Sequence, residues 1–420
     1  MPRFIIQGGS RLSGEIAVGG AKNAALKIIP AALLSADPIT ISNLPDIEDT
    51  KRSLEVFVSL GGEVKESKGK LILSMPTLKR HDLDPHLANK FRASIMFVGP
   101  MLARTGEASF PHPGGCVIGA GTRPIDLFLE GFARLGAEVS YKNEKYHLKA
   151  RRLKGAEYFF TTVSVTGTES LMMTATLAEG VTTLKNCALE PEIVELAAYL
   201  NRNGAKISGA GTPTISIRGV KRLGAGNFVT MPDRIETGTF AILAAAARAP
   251  LTITHCCPDH IEALLTIFTK LGIVYTRSKD TLKIVSVPKT IKPYNLKTHE
   301  YPGFATDLQS PFTVLMTQAS GTSLIHETIY DRRLLFTDLL AQMGAEITLC
   351  DPHRALVHGP TKLQGHSLTS PDLRAGISMI IAGIIASGKT TIDNIYQIER
   401  GYQNIEARLK AIGVRISRED

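Results

Sequence analysis

Between Pro111 and Asp126 the chain reads Pro-His-Pro-Gly-Gly-Cys-Val-Ile-Gly-Ala-Gly-Thr-Arg-Pro-Ile-Asp, with neither a helical nor a strand period. Its glycines and prolines predict a loop, and Cys116 sits among them instead of on an apolar face. A cation nearby, Arg123, favours the thiolate, which is the reactive form of cysteine. His112 is the only histidine near this loop, so a Cys–His nucleophile pair lacks a third, orienting group. The residues alone leave Cys116 open between a reactive thiol and a bystander. Cys187, Cys256, Cys257 and Cys350 lie in or beside predicted strands and are expected to be small core residues.

A second set of chemical groups stands where small-residue helices begin. Lys22-Asn23 follows Gly19-Gly20, Arg92 lies in Lys90-Phe91-Arg92-Ala93-Ser94, and Ser164 opens Ser-Val-Thr-Gly-Thr-Glu. Further along come Pro232-Asp233-Arg234-Ile235-Glu236, Thr306-Asp307-Leu308-Gln309 and Pro371-Asp372-Leu373-Arg374. An Asp at such a position serves as an N-cap, and Asp233 with Glu236 has capping-box spacing. Lys and Arg oppose the helix dipole there, at a cost of roughly 0.3–1 kcal/mol unless an anion intervenes. The recurrence of Lys22, Arg92, Arg234 and Arg374 suggests helix starts gathered on a bound anion; solvated side chains are the plain alternative. No histidines or cysteines have metal-ligand spacing, and His255 and His260 are separated by Pro258.

The elements that would position these groups repeat. Leu60-Gly61, Leu135-Gly136, Asn203-Gly204, Leu271-Gly272, Met343-Gly344 and Ile412-Gly413 each close an amphipathic segment and lead into a β-branched or aromatic residue. Their glycines are 75, 68, 68, 72 and 69 residues apart, a spacing that predicts six copies of one unit. Gly after the last apolar turn predicts a helix C-cap that opens into a strand. Other helices end at Ala36-Asp37, Glu179-Gly180, Ser320-Gly321 and Ser387-Gly388 before alternating strands such as Thr182–Asn186 and Thr390–Asn394. Ala24–Leu34 and Phe240–Ala247 carry little charge, which predicts helices buried inside with sheets outside them. Six units divide into two groups of three, with a division expected near Gly224-Ala225-Gly226.

Composition narrows the classes. The chain has 420 residues, a net charge of +9, 21% charged and 44% hydrophobic residues, so disorder is excluded. With no Trp and 6% aromatics, a nucleic-acid surface built on stacking is poorly supplied, and the basic residues are dispersed instead of clustered. The uncharged run Ala375–Gly388 is too short to span a bilayer and reads as a buried helix. Five cysteines, an odd number, argue against a disulfide framework; together with the lack of a secretory signal they lead us to expect a cytosolic protein.

Lys22-Asn23, Pro113-Gly114-Gly115-Cys116, Arg123-Pro124-Ile125-Asp126, Pro232–Thr239 and Asp372-Leu373-Arg374-Ala375, in that order, resemble the enolpyruvyl transferases that act on UDP-N-acetylglucosamine. The resemblance runs from Phe4 to Ile416. It implies an α/β fold, a two-domain inside-out α/β barrel built from six βαβ-type repeats. Residues 1–21 with 230–420 would form one domain, 22–229 the other, and the substrates would meet between them. It also implies a monomer, no metal and no cofactor, no nucleic-acid or membrane partner, and the first committed step of peptidoglycan synthesis.

By the same resemblance, phosphoenolpyruvate would be held by Lys22, Asn23, Arg123, Arg374 and Arg400, with Lys22 and Arg400 counted among the catalytic groups. The UDP-sugar would meet Asn23, Arg92, Arg123, Pro124, Ile125, Asp126, Leu127, Thr162, Val163, Ser164, Val165, Asp307 and Ile329. Arg333 and Asp372 are further active-site candidates. Cys116 would protonate C3 of phosphoenolpyruvate and Asp307 would take the proton of the sugar 3-hydroxyl. The chain departs from the family pattern twice: two extra residues separate Cys116 from Arg123, and Thr162 stands where many relatives carry Lys. The alternatives are the sister transferase acting on shikimate 3-phosphate, whose Gly-Asn-Ala-Gly-Thr stretch is absent here, and a nucleic-acid-processing protein of related repeat fold.

Overall fold

A computed structural model describes residues 2–114 and 125–419; Cys116, Arg123 and Pro124 lie outside the described residues. The described chain separates into two compact units, residues 2–19 with 232–419, and residues 20–114 with 125–231. The chain changes unit at Gly19–Gly20 and at Met231–Pro232. Gly224 and Gly226 lie ahead of that second passage, inside a unit, where Gly224 N–H donates to Asn203 O (2.9 Å) and Gly226 O accepts from Thr40 N–H (3.1 Å).

Each unit holds three sheets. In the first unit, Arg3–Gln7 lies between Lys389–Asp393 and Arg415–Glu419, with Ser367–Thr369 at the edge. A second sheet orders Val274–Arg277, Thr281–Ser286, Leu251–Thr254 and Glu15–Ala17; a third orders Leu296–Lys297, Gly321–His326, Arg354–Gly359 and Glu346–Asp351. In every one of these sheets a two- or three-residue edge strand pairs parallel while the other partners run antiparallel. The second unit repeats the pattern, with Glu157–Phe159 and Asn227–Val229 as its parallel edges. In its remaining sheet the edge is reduced to a single parallel bridge, Asp82 to Ser109. These short edges have too few residues to show a period, and the sequence reading missed them.

The six signature glycines close six helices, and all have positive φ: 103° at Gly61, 95° at Gly136, 102° at Gly204, 74° at Gly272, 93° at Gly344 and 96° at Gly413. Each backbone turns left-handed there, which only a residue without Cβ does at no cost, and the chain reverses into the next hairpin. These amphipathic helices bury one face only. Six more of the described helices lie inside. All residues of Arg234–Ala246 and of Gln309–Met316 are buried, as are all but one of Leu373–Ile385. In the first unit these three pack against one another. In the second unit Val98–Thr105 packs against Val165–Ala175 and against the turn Ala32–Leu34 that ends the Lys22–Ala31 helix. Small residues permit the close approach: a Cβ on Gly238 would lie 2.5 Å from Leu308, and one on Gly99 2.2 Å from Thr174 Oγ1. Each unit thus encloses its own hydrophobic core.

Two expectations about small residues change. Cys187 and Cys256 are buried, but Cys257 is half-buried and Cys350 is exposed. Along Glu346–Asp351, Cys350 shares the parity of the exposed Glu346 and Thr348, while Ile347 and Leu349 pair with the buried Val357 and Ala355, so Cys350 lies on the outward face. The Asp233–Glu236 capping box is half realised. Asp233 Oδ1 accepts from the N–H groups of Ile235 (2.7 Å) and Glu236 (3.1 Å), but Glu236 turns away to accept from Gly19 N–H (2.9 Å).

Candidate active site

Asp372, like Asp233, caps an inner helix, accepting from the N–H groups of Arg374 (2.7 Å) and Ala375 (3.0 Å). Arg374 is thereby fixed in the first turn of Leu373–Ile385, and its carbonyl accepts from Ser310 Oγ (2.9 Å) on the neighbouring helix. Asp307 occupies a comparable place in its repeat, within the turn Thr306–Leu308 that leads into Gln309–Met316, yet its side chain is spent elsewhere. Its Oδ1 accepts from Arg333 Nη2 (2.8 Å) and its Oδ2 from Arg374 Nη2 (2.7 Å). Arg333 comes from a separate turn, Arg333–Phe336, reached through a left-handed Arg332 (φ 55°). Arg400, also buried, follows the short helix Tyr396–Glu399 and donates to Gln397 Oε1 (3.1 Å).

Electrostatics follow from this arrangement. Burial works to raise the Asp307 carboxyl, but Arg374 and then Arg333 outweigh it and hold the group well below the usual carboxylate range. Burial works against both guanidinium charges as well, and Asp307 offsets it, leaving Arg374 and Arg333 more firmly protonated. Tyr402 closes the group: Arg374 Nη1 lies 3.4 Å from its hydroxyl, which shares a hydrogen bond of 3.0 Å with Thr239 Oγ1. Burial pushes the Tyr402 phenol up to about 12, against the pull of Arg374, so it stays an O–H. A carboxylate with both oxygens engaged by cations is a proton acceptor only after a cation is drawn off by another anion.

In the other unit, Lys22 opens its inner helix, and its Nζ lies 2.7 Å from Asp49 Oδ2 with both side chains largely buried. Asn23 is half-buried on the same turn. Arg92 opens the turn Arg92–Phe97, and Ile125 N-caps the helix Asp126–Arg134, which carries Asp126 and Leu127. Thr162 is exposed and Val163 half-buried in the segment that Ser164 ends by capping Val165–Ala175, its Oγ accepting from Gly167 N–H (3.1 Å). That segment is tied down by Asn186, whose Nδ2 donates to Phe160 O (2.8 Å). Deeper in, Lys27 Nζ lies 3.2 Å from Glu169 Oε2. Burial raises the Glu169 carboxyl to about 8, Lys27 opposing and Glu192 and Glu190 reinforcing the shift.

The structure therefore brings Asp307, Arg333 and Arg374 into one contact group, with Asp372 as the cap that fixes Arg374. Ile329 is attached to the group through the backbone: its N–H donates to Glu327 Oε1 (2.8 Å). The anions met by two of the helix-start cations are carboxylates of the chain itself, Asp49 for Lys22 and Asp307 for Arg374. Sequence reasoning missed Asp49, Glu327 and Tyr402. Only Glu327 carried a signal, as an acidic residue after an inner strand where other repeats have Asn43, Asn186 and Asn394. Among the described residues, no group of acidic, histidine and cysteine side chains could hold a metal ion. No helix among them is long and apolar enough to cross a membrane.

Two threefold units with helices inside and sheets outside define the enolpyruvyl transferase fold. The structure superposes on the enolpyruvyl transferase NikO from Streptomyces tendae with a TM-score of 0.89, over 99% of this chain and 98% of that one, at 23% identity. It superposes on EPSP synthase from Acinetobacter baumannii with a TM-score of 0.75, over 100% of both chains, at 18% identity. The family model for EPSP synthase (3-phosphoshikimate 1-carboxyvinyltransferase) matches residues 6–409. A relative from Treponema denticola named UDP-N-acetylglucosamine 1-carboxyvinyltransferase is 44% identical, over 99% of this chain and 99% of its own. One of the same name from Koribacter versatilis is 41% identical over 100% of this chain and 96% of its own. The chain belongs to the EPSP synthase family and, within it, to the UDP-N-acetylglucosamine 1-carboxyvinyltransferases.

Proposed function

We propose that this protein transfers the enolpyruvyl group of phosphoenolpyruvate to the 3-hydroxyl of UDP-N-acetylglucosamine and releases phosphate. The observation that carries the reading is Asp307 between Arg333 and Arg374, in a chain matched end to end by relatives of that name. The sugar oxygen attacks C2 as C3 gains a proton; C2 then loses phosphate and C3 a proton, restoring the double bond. Anionic phosphoenolpyruvate competes with Asp307 for Arg374, and the carboxylate so released takes the hydroxyl proton. Cys116 supplies the proton to C3. Lys22, Asn23, Arg123 and Arg400 hold phosphoenolpyruvate, the three cations matching its phosphate and carboxylate and the Asn23 amide donating a hydrogen bond. Arg92, Arg123–Leu127, Thr162–Val165 and Ile329 meet the UDP-sugar. The product feeds peptidoglycan synthesis, and the work is done in the cytosol.

The test mixes protein, phosphoenolpyruvate and UDP-N-acetylglucosamine and follows phosphate release. Release with shikimate 3-phosphate in place of the sugar nucleotide, and none with the latter, overturns the substrate assignment. Cys116→Ala is expected to abolish turnover; the epoxide fosfomycin should inactivate the native protein by alkylating Cys116 and leave that variant unmodified. Activity retained in Cys116→Ala removes the proton donor from this scheme.

A further inference from the structure

The residue after the inner strand of each repeat is Asn43, His112, Asn186, His255, Glu327 or Asn394. The three asparagines do the same thing. Each has a left-handed backbone (φ 54°, 57° and 57°) and donates from Nδ2 to the carbonyl that follows the parallel edge strand, at Thr230 (2.7 Å), Phe160 (2.8 Å) and Ser370 (2.8 Å). Glu327 breaks the pattern. It is fully buried, does not share the positive φ, and its side chain accepts. Oε1 takes the N–H groups of Ile329 (2.8 Å) and Tyr330 (3.1 Å), and Oε2 takes the Thr306 hydroxyl (2.8 Å). Because that hydroxyl gives its only proton to Glu327, its lone pairs face Arg333, whose Nη1 donates to it at 2.8 Å. The other arm of the same guanidinium holds Asp307. The clamping done by asparagine elsewhere passes here to Thr298, which accepts from Thr328 N–H (2.8 Å) and, at its carbonyl, from Thr328 Oγ1 (2.6 Å). The buried carboxylate is therefore not needed for the clamp that the asparagines make.

We propose that Glu327 is a positioning residue for the transfer reaction: through Thr306 it fixes the Arg333 guanidinium on Asp307, while it shapes the Ile329–Tyr330 backbone. This rests on the proposed function, in which Asp307 must surrender Arg374 to the substrate and keep its orientation from Arg333 alone. Glu327→Gln separates the two tasks. An amide that keeps its oxygen on the two backbone N–H groups turns its NH2 toward Thr306, so the hydroxyl loses its acceptor and Arg333 its anchor. Thr306→Val cuts the same path one step later.

The test compares both variants and the double variant with the native protein in phosphate release, alongside crystal structures of the two single variants. Each variant should lose about tenfold in kcat with the KM for UDP-N-acetylglucosamine changed less than about threefold, and the double variant should lose no more than the worse single. Losses that multiply, or an undiminished kcat in Glu327→Gln, overturn the proposal. In the crystals Arg333 should leave Asp307; a guanidinium still seated on Asp307 in both variants overturns it as well. Failure of the native protein to release phosphate overturns the proposed function instead, and the crystal structures then decide the role of Glu327 alone.

Discussion

Asp307→Asn removes one negative charge from between two buried guanidinium groups, and the structure sets the size of the effect. The side chains of Arg333 and Arg374 are only 5% and 10% exposed, and their nitrogens lie 2.8 and 2.7 Å from the carboxylate. An Asn offers one oxygen, so one arginine keeps an acceptor and the other meets an N–H. Arg333 retains Thr306; Arg374 retains its 3.4 Å contact with the Tyr402 hydroxyl, a weak substitute for an anion. Breaking a buried pair in this way costs about 3–5 kcal/mol, since a charge is left without compensation. For a unit of this size that is a fall in Tm of roughly 6–20 °C. With no Trp in the chain, circular dichroism during heating is the suitable readout. The native Asp307 is held below its ordinary value, so its contribution is complete above about pH 4 and is lost as pH falls from there through the lowered folded value. The gap between native and variant protein should hold from pH 5 to 8 and narrow in more acidic solution. Inorganic phosphate, as a replacement anion, should raise the Tm of the variant more than that of the native protein. Equal Tm values, with equal responses to phosphate, would refute the view that Asp307 is the counter-ion of this site.

Three further outcomes are expected. Glu169 and Glu195 are both raised by burial to about 8, so the native state keeps protons that the unfolded chain releases above about 4.5, and stability should fall between those values by up to about 1.4 kcal/mol per pH unit for each. Urea midpoints from pH 5 to 8.5 should show a shallower fall in Glu169→Gln; an unchanged slope contradicts the assignment. Asn186→Gly keeps the left-handed backbone and deletes the bond to Phe160, costing about 1 kcal/mol and raising the KM for UDP-N-acetylglucosamine if the clamp positions residues 162–165; steady-state kinetics decides it. Arg408 holds Glu236 with two bonds of 2.8 Å and covers the ring of Phe240, so Arg408→Met should destabilise by about 3 kcal/mol in urea, with Lys a poor replacement for the paired contact.

What the sequence disclosed about the fold, it disclosed through covalent limits on the backbone. A glycine that must turn left-handed at the end of a helix leaves the same mark six times, and Gly61 to Gly413 could be counted without knowing any contact. Charge-poor helices such as Arg234–Ala246 were legible because an element apolar on all sides has nowhere to lie except inside. Edge strands such as Leu296–Lys297 left no mark, being shorter than the period that would reveal them. Partner choice was equally hidden. Glu236 has the spacing of a capping box, yet two parallel hydrogen bonds from Arg408, 172 residues away, outcompete the local one. The candidate cations Lys22 and Arg374 were singled out by type, position and resemblance, but the carboxylates they meet, Asp49 and Asp307, are fixed only by tertiary packing.

A sixfold repeat offers its own control experiment, because each position has been solved several times within one chain. At the start of an inner helix the ordinary solution is a side-chain oxygen on the first free N–H groups, as Ser164, Asp233 and Asp372 provide. Asp307 stands in a comparable turn and forgoes that role, although capping is worth about 1 kcal/mol to a helix. Its helix, Gln309–Met316, starts without a side-chain cap, and the carboxylate faces two guanidinium groups instead. Lys22–Ala31 and Val98–Thr105 also start without a side-chain cap, but Ala21 and Phe97 have no oxygen to offer there, whereas the Asp307 carboxylate lies in the turn and is engaged by the two guanidinium groups instead. Lys22 and Arg374 share one physical account: a cation at the dipole's positive end is tolerated because a carboxylate of the chain, Asp49 or Asp307, lies 2.7 Å away and neutralises it.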